Sequence, residues 1–116
     1  MDSKAIPNEK NYVKSTCPVT TTMGIIGGKW KPIILFVLQN NSNIRFGEMK
    51  RLIPGITQKM LTQQLRELEK DGIVNRKVYA VVPPKVEYSL TEEGHSLEPL
   101  LQEMCSWGNR HLARAK

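Results

Sequence analysis

Hydrogen-bonding side chains recur at helical spacing between positions 57 and 70. If Leu61, Leu65 and Leu68 form the buried stripe of a helix, the opposite face carries hydroxyl, amide and cationic groups. These are Thr57, Gln58, Lys59, Thr62, Gln63 and Arg66. Glutamine can pair with adenine, and lysine or arginine with guanine, so this face has the chemistry to contact base edges in a DNA major groove. A merely solvated face usually mixes acids with bases, whereas no acid interrupts this one before position 69, and we therefore favour DNA recognition.

A second cationic group follows this helix in sequence. Arg76, Lys77 and Lys85 surround a Pro83-Pro84 loop, where they could contact phosphates or the adjacent minor groove without specifying sequence. Each of them alone is equally well explained as a solubilising charge. As a group they favour DNA, in line with the formal charge of +6 from 17 Lys and Arg against 11 Asp and Glu.

Cys17 directly precedes Pro18 at an expected helix N-terminus, where the helix dipole and free N–H groups stabilise a thiolate. A lone cysteine more often serves as a small buried apolar residue, so a redox role and a structural role both remain open. Cys105 is expected in the core. The two cysteines and two histidines have no zinc-site spacing, and no phosphate-binding loop or nucleophile elbow is present. We expect no metal, no cofactor and no enzymatic activity.

The elements that must position these groups follow from apolar periodicity and from Gly, Pro and Asn at their ends. Helices are predicted over 18–26, 30–41, 45–53, 57–70 and 91–111, and strands over 73–78 and 86–90. Pro99 is expected to bend the last helix. This order, with a Gly-limited turn between short helices, predicts a mainly α fold with a small β-hairpin, the winged helix-turn-helix.

The last predicted helix carries more apolar surface than one stripe requires. Either it packs wholly within its own domain, or a second copy of the chain covers it, and we favour a homodimer formed through the N- and C-terminal helices. The residues expected at that interface are Val19, Met23, Leu97, Leu100, Leu101, Met104 and Trp107.

The 116 residues predict one small domain, over 17–116, preceded by a polar stretch, 1–16, that shows no period and is expected to be a flexible arm. The N-terminus has no apolar core of a signal peptide. No apolar run approaches the roughly 20 residues of a membrane-spanning helix. We therefore expect a cytoplasmic protein with no membrane partner and with reduced thiols at rest.

Several different short motifs occur along the chain. They include Cys17-Pro18-Val19, Gly27-Gly28-Lys29-Trp30, Phe46-Gly47-Glu48-Met49, Ile53-Pro54-Gly55-Ile56-Thr57-Gln58-Lys59-Met60-Leu61, Leu65-Arg66-Glu67-Leu68-Glu69, Val82-Pro83-Pro84 and Trp107-Gly108. This combination, over about residues 17 to 108, closely resembles the HxlR-type regulators, a MarR-like winged-helix family. The resemblance implies a dimeric transcription factor that binds double-stranded DNA at a near-palindromic operator through paired recognition helices and wings.

Several members of that family sense quinones, aldehydes or hypochlorite through a cysteine at the position matching Cys17. The resemblance therefore implies a small-molecule or oxidant inducer, whose identity the sequence does not give. A disulfide between Cys17 and Cys105 of the other subunit would require their Cα atoms to lie within about 7 Å.

Two rival functions stay open beside an operator-specific regulator. One is a thiol switch that binds DNA only electrostatically and therefore binds all sequences equally. The other is a winged helix that serves as a protein-interaction module, whose function would survive replacement of Lys59 and Arg66.

Overall fold

Six helices and three short strands make up residues 17–115, the part of the chain that the computed structural model describes. In chain order they are α1 (Pro18–Ile26), α2 (Trp30–Asn40), β1 (Ile44–Arg45), α3 (Phe46–Leu52), α4 (Gln58–Lys70), β2 (Val74–Tyr79), β3 (Lys85–Leu90), α5 (Glu92–His95) and α6 (Glu98–Arg114). The predicted arm, 1–16, lies outside the described residues. The mainly α winged-helix prediction is confirmed.

Helix α4, which carries the predicted DNA-contacting face, has defined ends. The Thr57 hydroxyl accepts a hydrogen bond from the Met60 backbone N–H at 3.1 Å, which satisfies one of the free donors of the first turn. Past the C-terminus, Gly72 has φ +76°, a conformation that residues with a Cβ rarely adopt. The sequence predicted both ends of this helix.

The buried stripe of α4 also agrees with the prediction, since Leu61, Leu65 and Leu68 are no more than 2% exposed. They join one core cluster built mainly from α2, α3, α4 and the sheet. Because this packing orients α4 about its own axis, the polar face is fixed on the outside of the molecule.

The sheet is antiparallel, with the strand order β1-β3-β2. The hairpin of β2 and β3 pairs from Val74 opposite Leu90 to Tyr79 opposite Lys85. Strand β1 was not predicted, and Arg45, expected in the third helix, belongs to it and lies opposite Glu87. A strand of two residues is too short to show an alternating pattern, and only its pairing with β3 reveals it.

The single helix predicted over 91–111 is wrong, because the chain forms two helices separated by Ser96 and Leu97. Thr91 caps α5 by accepting a hydrogen bond from the Gly94 N–H at 2.9 Å. Pro99 lies in the first turn of α6, where a missing N–H breaks no helical hydrogen bond. The break between the two helices precedes Pro99, so the proline stands at the beginning of α6 and not inside it, as the predicted bend required.

No single helix among residues 17–115 is long and apolar enough to cross a membrane. Helices α1 and α2 meet the length and composition criteria only as a pair, bent by 74° at the break between them.

Gly94 should contribute to stability because its position leaves no room for a side chain. A Cβ there would lie 2.3 Å from the Ile73 carbonyl oxygen, which the Thr91 backbone N–H and side chain already hold at 3.0 and 3.1 Å. We expect Gly94→Ala to lower the free energy of unfolding by about 1–3 kcal/mol, as overpacking typically does. Urea denaturation followed by circular dichroism measures this.

Gly47→Ala is the matched control, because its Cβ would meet only the Arg51 side chain at 3.8 Å. Alanine also favours a helix over glycine by up to about 1 kcal/mol, so this variant should be slightly more stable. Equal stabilities of the two variants would contradict the packing described for Gly94.

Candidate nucleic-acid interface

The outward face of α4 forms a shallow groove of about 690 Å³. Its lining residues are Gln58, Lys59, Thr62, Gln63, Arg66 and Glu67. The structure therefore brings together the base-contacting candidates of this helix, with the exception of Thr57. The Thr57 hydroxyl accepts the capping hydrogen bond, and its structural role at the helix end accounts for its position.

A second cleft, of about 480 Å³, lies between α4 and the sheet. Arg66 from α4 and Arg76 from β2 both line it, together with Glu69 and Tyr88. A DNA strand lying across this cleft would meet one guanidinium from the helix and one from the hairpin. Arg66 is common to both clefts, which makes it the central cation of the surface.

The other two predicted cations of the hairpin are gathered around one aromatic ring. The Nζ atoms of Lys77 and Lys85 lie 4.9 Å and 4.6 Å from the centre of the Tyr79 ring. The Tyr79 hydroxyl donates to a Glu87 carboxylate oxygen at 3.0 Å, and Lys85 Nζ lies 3.4 Å from the other oxygen. These contacts, the Tyr79 hydrogen bond first, hold the pKa of Glu87 below its usual value. Sequence reasoning missed Tyr79 and Glu87. Each lies two residues from one of the lysines on its own strand, and the strand register places Tyr79 opposite Lys85 and Glu87 opposite Lys77.

The loop between the two strands forms the tip of the wing. Val82 is 99% exposed, and Val81 is also exposed. The hairpin thus projects beyond the core and carries its cations on a protruding element.

The expectation that no acid precedes Glu69 on the recognition face is wrong. Glu67 lines the same groove, and its carboxylate accepts a hydrogen bond from Gln63 Nε2 at 3.4 Å. Its other oxygen is paired with Lys31 Nζ of α2 at 2.5 Å. The hydrogen bond and charge of Lys31 hold the pKa of Glu67 below its usual value. Helical spacing relates Gln63 to Glu67, but Lys31 is distant in sequence and gave no signal.

Cys17 is buried at the N-terminus of α1, where its side chain is 7% exposed. Hydrogen bonding by the Thr20 backbone N–H, and then by the Thr20 side chain, lowers the pKa of the thiol, and burial opposes this shift. Cys105, expected in the core, is instead exposed on α6, and both cysteines are free. Within residues 17–115, no three His, Cys, Asp or Glu side chains are grouped so that they could hold a metal ion.

An apolar groove of about 570 Å³ separates α1 from α6. Val19, Met23, Leu100 and Met104 line it, and all four are between 39% and 69% exposed. Trp107, farther along α6, is 61% exposed.

The remaining two residues predicted at a dimer interface have other surroundings in the chain. Leu101 is 4% exposed and belongs to the core, and Leu97 is partly buried against that core. Both therefore stabilise the position of α6 against the rest of its own chain.

Comparison with known proteins identifies the class of molecule that uses such a surface. The model of the HxlR-like helix-turn-helix family matches residues 25–116. The chain belongs to this family. As an HxlR-like protein it is a transcriptional regulator of the helix-turn-helix type, and DNA binding is implied by the family.

Relatives of this HxlR-like chain support the same assignment. It is 57% identical over 98 residues to an HTH-type transcriptional regulator of Bacillus subtilis, YdeP, covering 84% of this chain and 76% of YdeP. The crystal structure of the regulator YtcD is 56% identical, with a TM-score of 0.79 over 83% of this chain and 97% of that one. The redox regulator HypR in its oxidised form is 56% identical, with a TM-score of 0.77 over 81% and 96% of the respective chains.

Proposed function

We propose that this protein is a cytoplasmic, operator-specific transcriptional regulator that binds near-palindromic double-stranded DNA as a homodimer. In each protomer α4 lies in the major groove, and the β2–β3 wing contacts the backbone beside it. The observation that carries the proposal is the groove on α4. Amide, hydroxyl and cationic side chains line it together, and three buried leucines on the opposite face hold the helix against the core.

The geometry of the surface assigns base contacts to α4 and phosphate contacts to the wing. Helix α4 has 13 residues and, at about 1.5 Å per residue, is about 20 Å long, enough to lie along a major groove. Gln58, Gln63 and Arg66 carry the groups that distinguish bases. Arg76, Lys77 and Lys85 stand on the wing, where contacts to phosphate fix the register.

The test is fluorescence anisotropy with labelled DNA from upstream of the gene and a scrambled control at one near-physiological salt concentration. We expect a preference of about a thousandfold or more for the genuine sequence. Equal, salt-sensitive binding to both would contradict operator specificity and favour the electrostatic thiol-switch function. Unchanged biological function after replacement of Lys59 and Arg66 would favour the protein-interaction module.

The homodimer rests on the exposed apolar groove between α1 and α6. Val19, Met23, Leu100, Met104 and Trp107 together place large apolar side chains in water, and a second copy would remove them from it. A two-fold axis relating two copies of α4 matches the two-fold symmetry of a near-palindromic operator.

Oxidant control is the second part of the proposal and rests on Cys17. Its lowered thiol pKa increases the thiolate fraction, the form that reacts with oxidants. The residue begins α1, which contributes to the apolar groove, so a modification there acts on the proposed dimer interface. HypR, a similar protein, is described as a redox regulator and has oxidised and reduced structures.

We expect Cys17→Ser to bind the operator normally but to lose its response to oxidant. Diamide or a quinone should weaken operator binding by the wild-type protein about tenfold or more, within the range of typical allosteric coupling. Anisotropy before and after treatment measures the change. Cys105→Ser is the matched control at the exposed cysteine. If oxidant still releases the Cys105→Ser protein from the operator, Cys17 alone is sufficient for the response. Oxidant release that persists in Cys17→Ser would remove Cys17 from the mechanism.

A further inference from the structure

Lys31 is the buried charged residue of the described chain, at 8% exposure, and it lies in the first turn of α2. It is not part of the surface that would face DNA. A buried ammonium carries a large desolvation penalty unless an anion compensates it. Its partner is Glu67 of α4, which is 44% exposed and lies at the edge of the recognition groove. The pair therefore joins the interior of the protein to the recognition helix.

Glu67 in turn contacts a side chain that faces the groove. Its second carboxylate oxygen accepts a hydrogen bond from Gln63 Nε2 at 3.4 Å. The three residues form a chain of contacts that starts in the core at Lys31 and ends on the outer face of α4 at Gln63. A glutamine elsewhere on an exposed helix face samples several rotamers, so such a tether reduces the entropy lost when the side chain pairs with a base.

The hydrogen bond to Glu67 also determines the orientation of the Gln63 amide group. An ionised carboxylate can only accept hydrogen bonds, so the Gln63 nitrogen must face Glu67 and the Gln63 oxygen must face away. Glu67 is a carboxylate near neutral pH, and the ion pair with Lys31 holds that carboxylate in place. The remaining Nε2 hydrogen and the free Oε1 are the donor and acceptor that pair with N7 and N6 of adenine.

We propose that Lys31 is a specificity-determining positioning residue: through Glu67 it sets the orientation of the Gln63 amide and thereby the base that Gln63 selects. This inference rests on the proposed function, because it assumes that α4 contacts base edges. Lys31 itself touches no DNA and acts only through the two residues that follow it in the chain of contacts.

The experiment measures affinities for the operator and for a panel in which each base pair is replaced singly. Gln63→Ala should lose discrimination at one base pair per half-site, by about tenfold, as expected for one bidentate contact. Lys31→Met should lose a large part of the discrimination at that same base pair and keep it elsewhere. Lys31→Arg, which retains the cation, should restore it. In the double variant of Lys31→Met and Gln63→Ala, the losses should not add.

Two variants separate positioning from charge and from folding. Lys70→Met removes a cation from α4 that acts on Glu67 only through its charge, and it should weaken binding to every DNA of the panel by one common factor. In Glu67→Gln the carboxylate becomes an amide, which can donate a hydrogen bond as well as accept one and therefore no longer fixes the orientation of Gln63. This variant should reproduce the loss of base discrimination seen in Lys31→Met. Lys31→Met removes the buried ammonium, and the Glu67 carboxylate that remains is 44% exposed and can be solvated, so the thermal unfolding midpoint of this variant should stay near that of the wild type.

A Lys31→Met protein whose base preferences match those of the wild type, with or without a uniform loss of affinity, would overturn the inference. So would a Gln63→Ala protein with unchanged preferences. If the wild-type protein itself shows no preference for the operator, the proposed function fails first, and that result is distinguishable from a failure of Lys31 alone.

Discussion

Arg66→Ala is expected to abolish most of the preference for the operator over scrambled DNA. The Arg66 side chain lines both the groove on α4 and the cleft between α4 and the sheet. A bidentate arginine–guanine contact contributes about 1–3 kcal/mol of discrimination, and a homodimer presents two copies of it, so the loss should reach about 2–6 kcal/mol. Anisotropy titrations on both DNAs at one salt concentration measure it. Affinity for the scrambled DNA should fall only by the small amount expected from removing one positive charge per protomer.

Lys77→Ala is the comparison that gives this prediction its meaning. Lys77 lies over the Tyr79 ring on the wing and faces none of the α4 groove. Its removal should weaken binding to all sequences similarly and lower the slope of log K against log salt by about one per protomer. If Arg66→Ala and Lys77→Ala caused the same uniform loss, Arg66 would be a phosphate contact and the base-reading assignment would fail.

The sequence was sufficient for those parts of the surface that local periodicity determines. On α4, the spacing of Leu61, Leu65 and Leu68 identified the buried stripe, and the groove residues other than Glu67 were predicted as its complement. Thr57 and Gly72 marked the ends, because capping and a positive φ each require particular residue types. The polar face of a strongly amphipathic helix is thus a local property.

Features that depend on pairing between distant segments were not predictable in the same way. The strand β1 exists only because Ile44 meets Tyr88 across the sheet. The pair of Lys31 and Glu67 joins two helices, and neither residue differs in type from any solvated lysine or glutamate. The end of α5 before Ser96 also depends on a distant segment. Thr91 and Gly94 both contact the backbone around Ile73, and these contacts hold α5 in place.

Helix α6 shows how an apolar pattern can be ambiguous about its partner. From the sequence, Leu97, Leu101 and Met104 were all expected at the dimer interface and Cys105 in the core. The structure instead buries Leu101 within the chain and leaves Met104 and Cys105 exposed. Periodicity shows that a helix has apolar faces, but it does not show which of them packs against the chain's own core.

Met104→Asp is expected to separate the proposed dimer. Met104 is 44% exposed and lines the apolar groove opposite residues of α1, so an aspartate there would place a charge in the middle of the interface. Analytical ultracentrifugation should find a monomer at concentrations where the wild type is a dimer. Affinity for the full operator should fall about a hundredfold or more, because the two half-sites would no longer be bound by linked recognition helices.

Gln102→Asp provides the matched control, since position 102 is also exposed on α6 but does not line the groove. It introduces the same charge on the same helix and should leave both the dimer and operator affinity near wild type. A DNA fragment with a single half-site separates the two functions further. Because Met104 lies on α6 and the groove that would contact DNA lies on α4, the binding of one protomer to one half-site should be the same in both variants. A Met104→Asp protein that stays dimeric would place the interface elsewhere, whereas a monomer with lost half-site affinity would show that α4 depends on the dimer for its position.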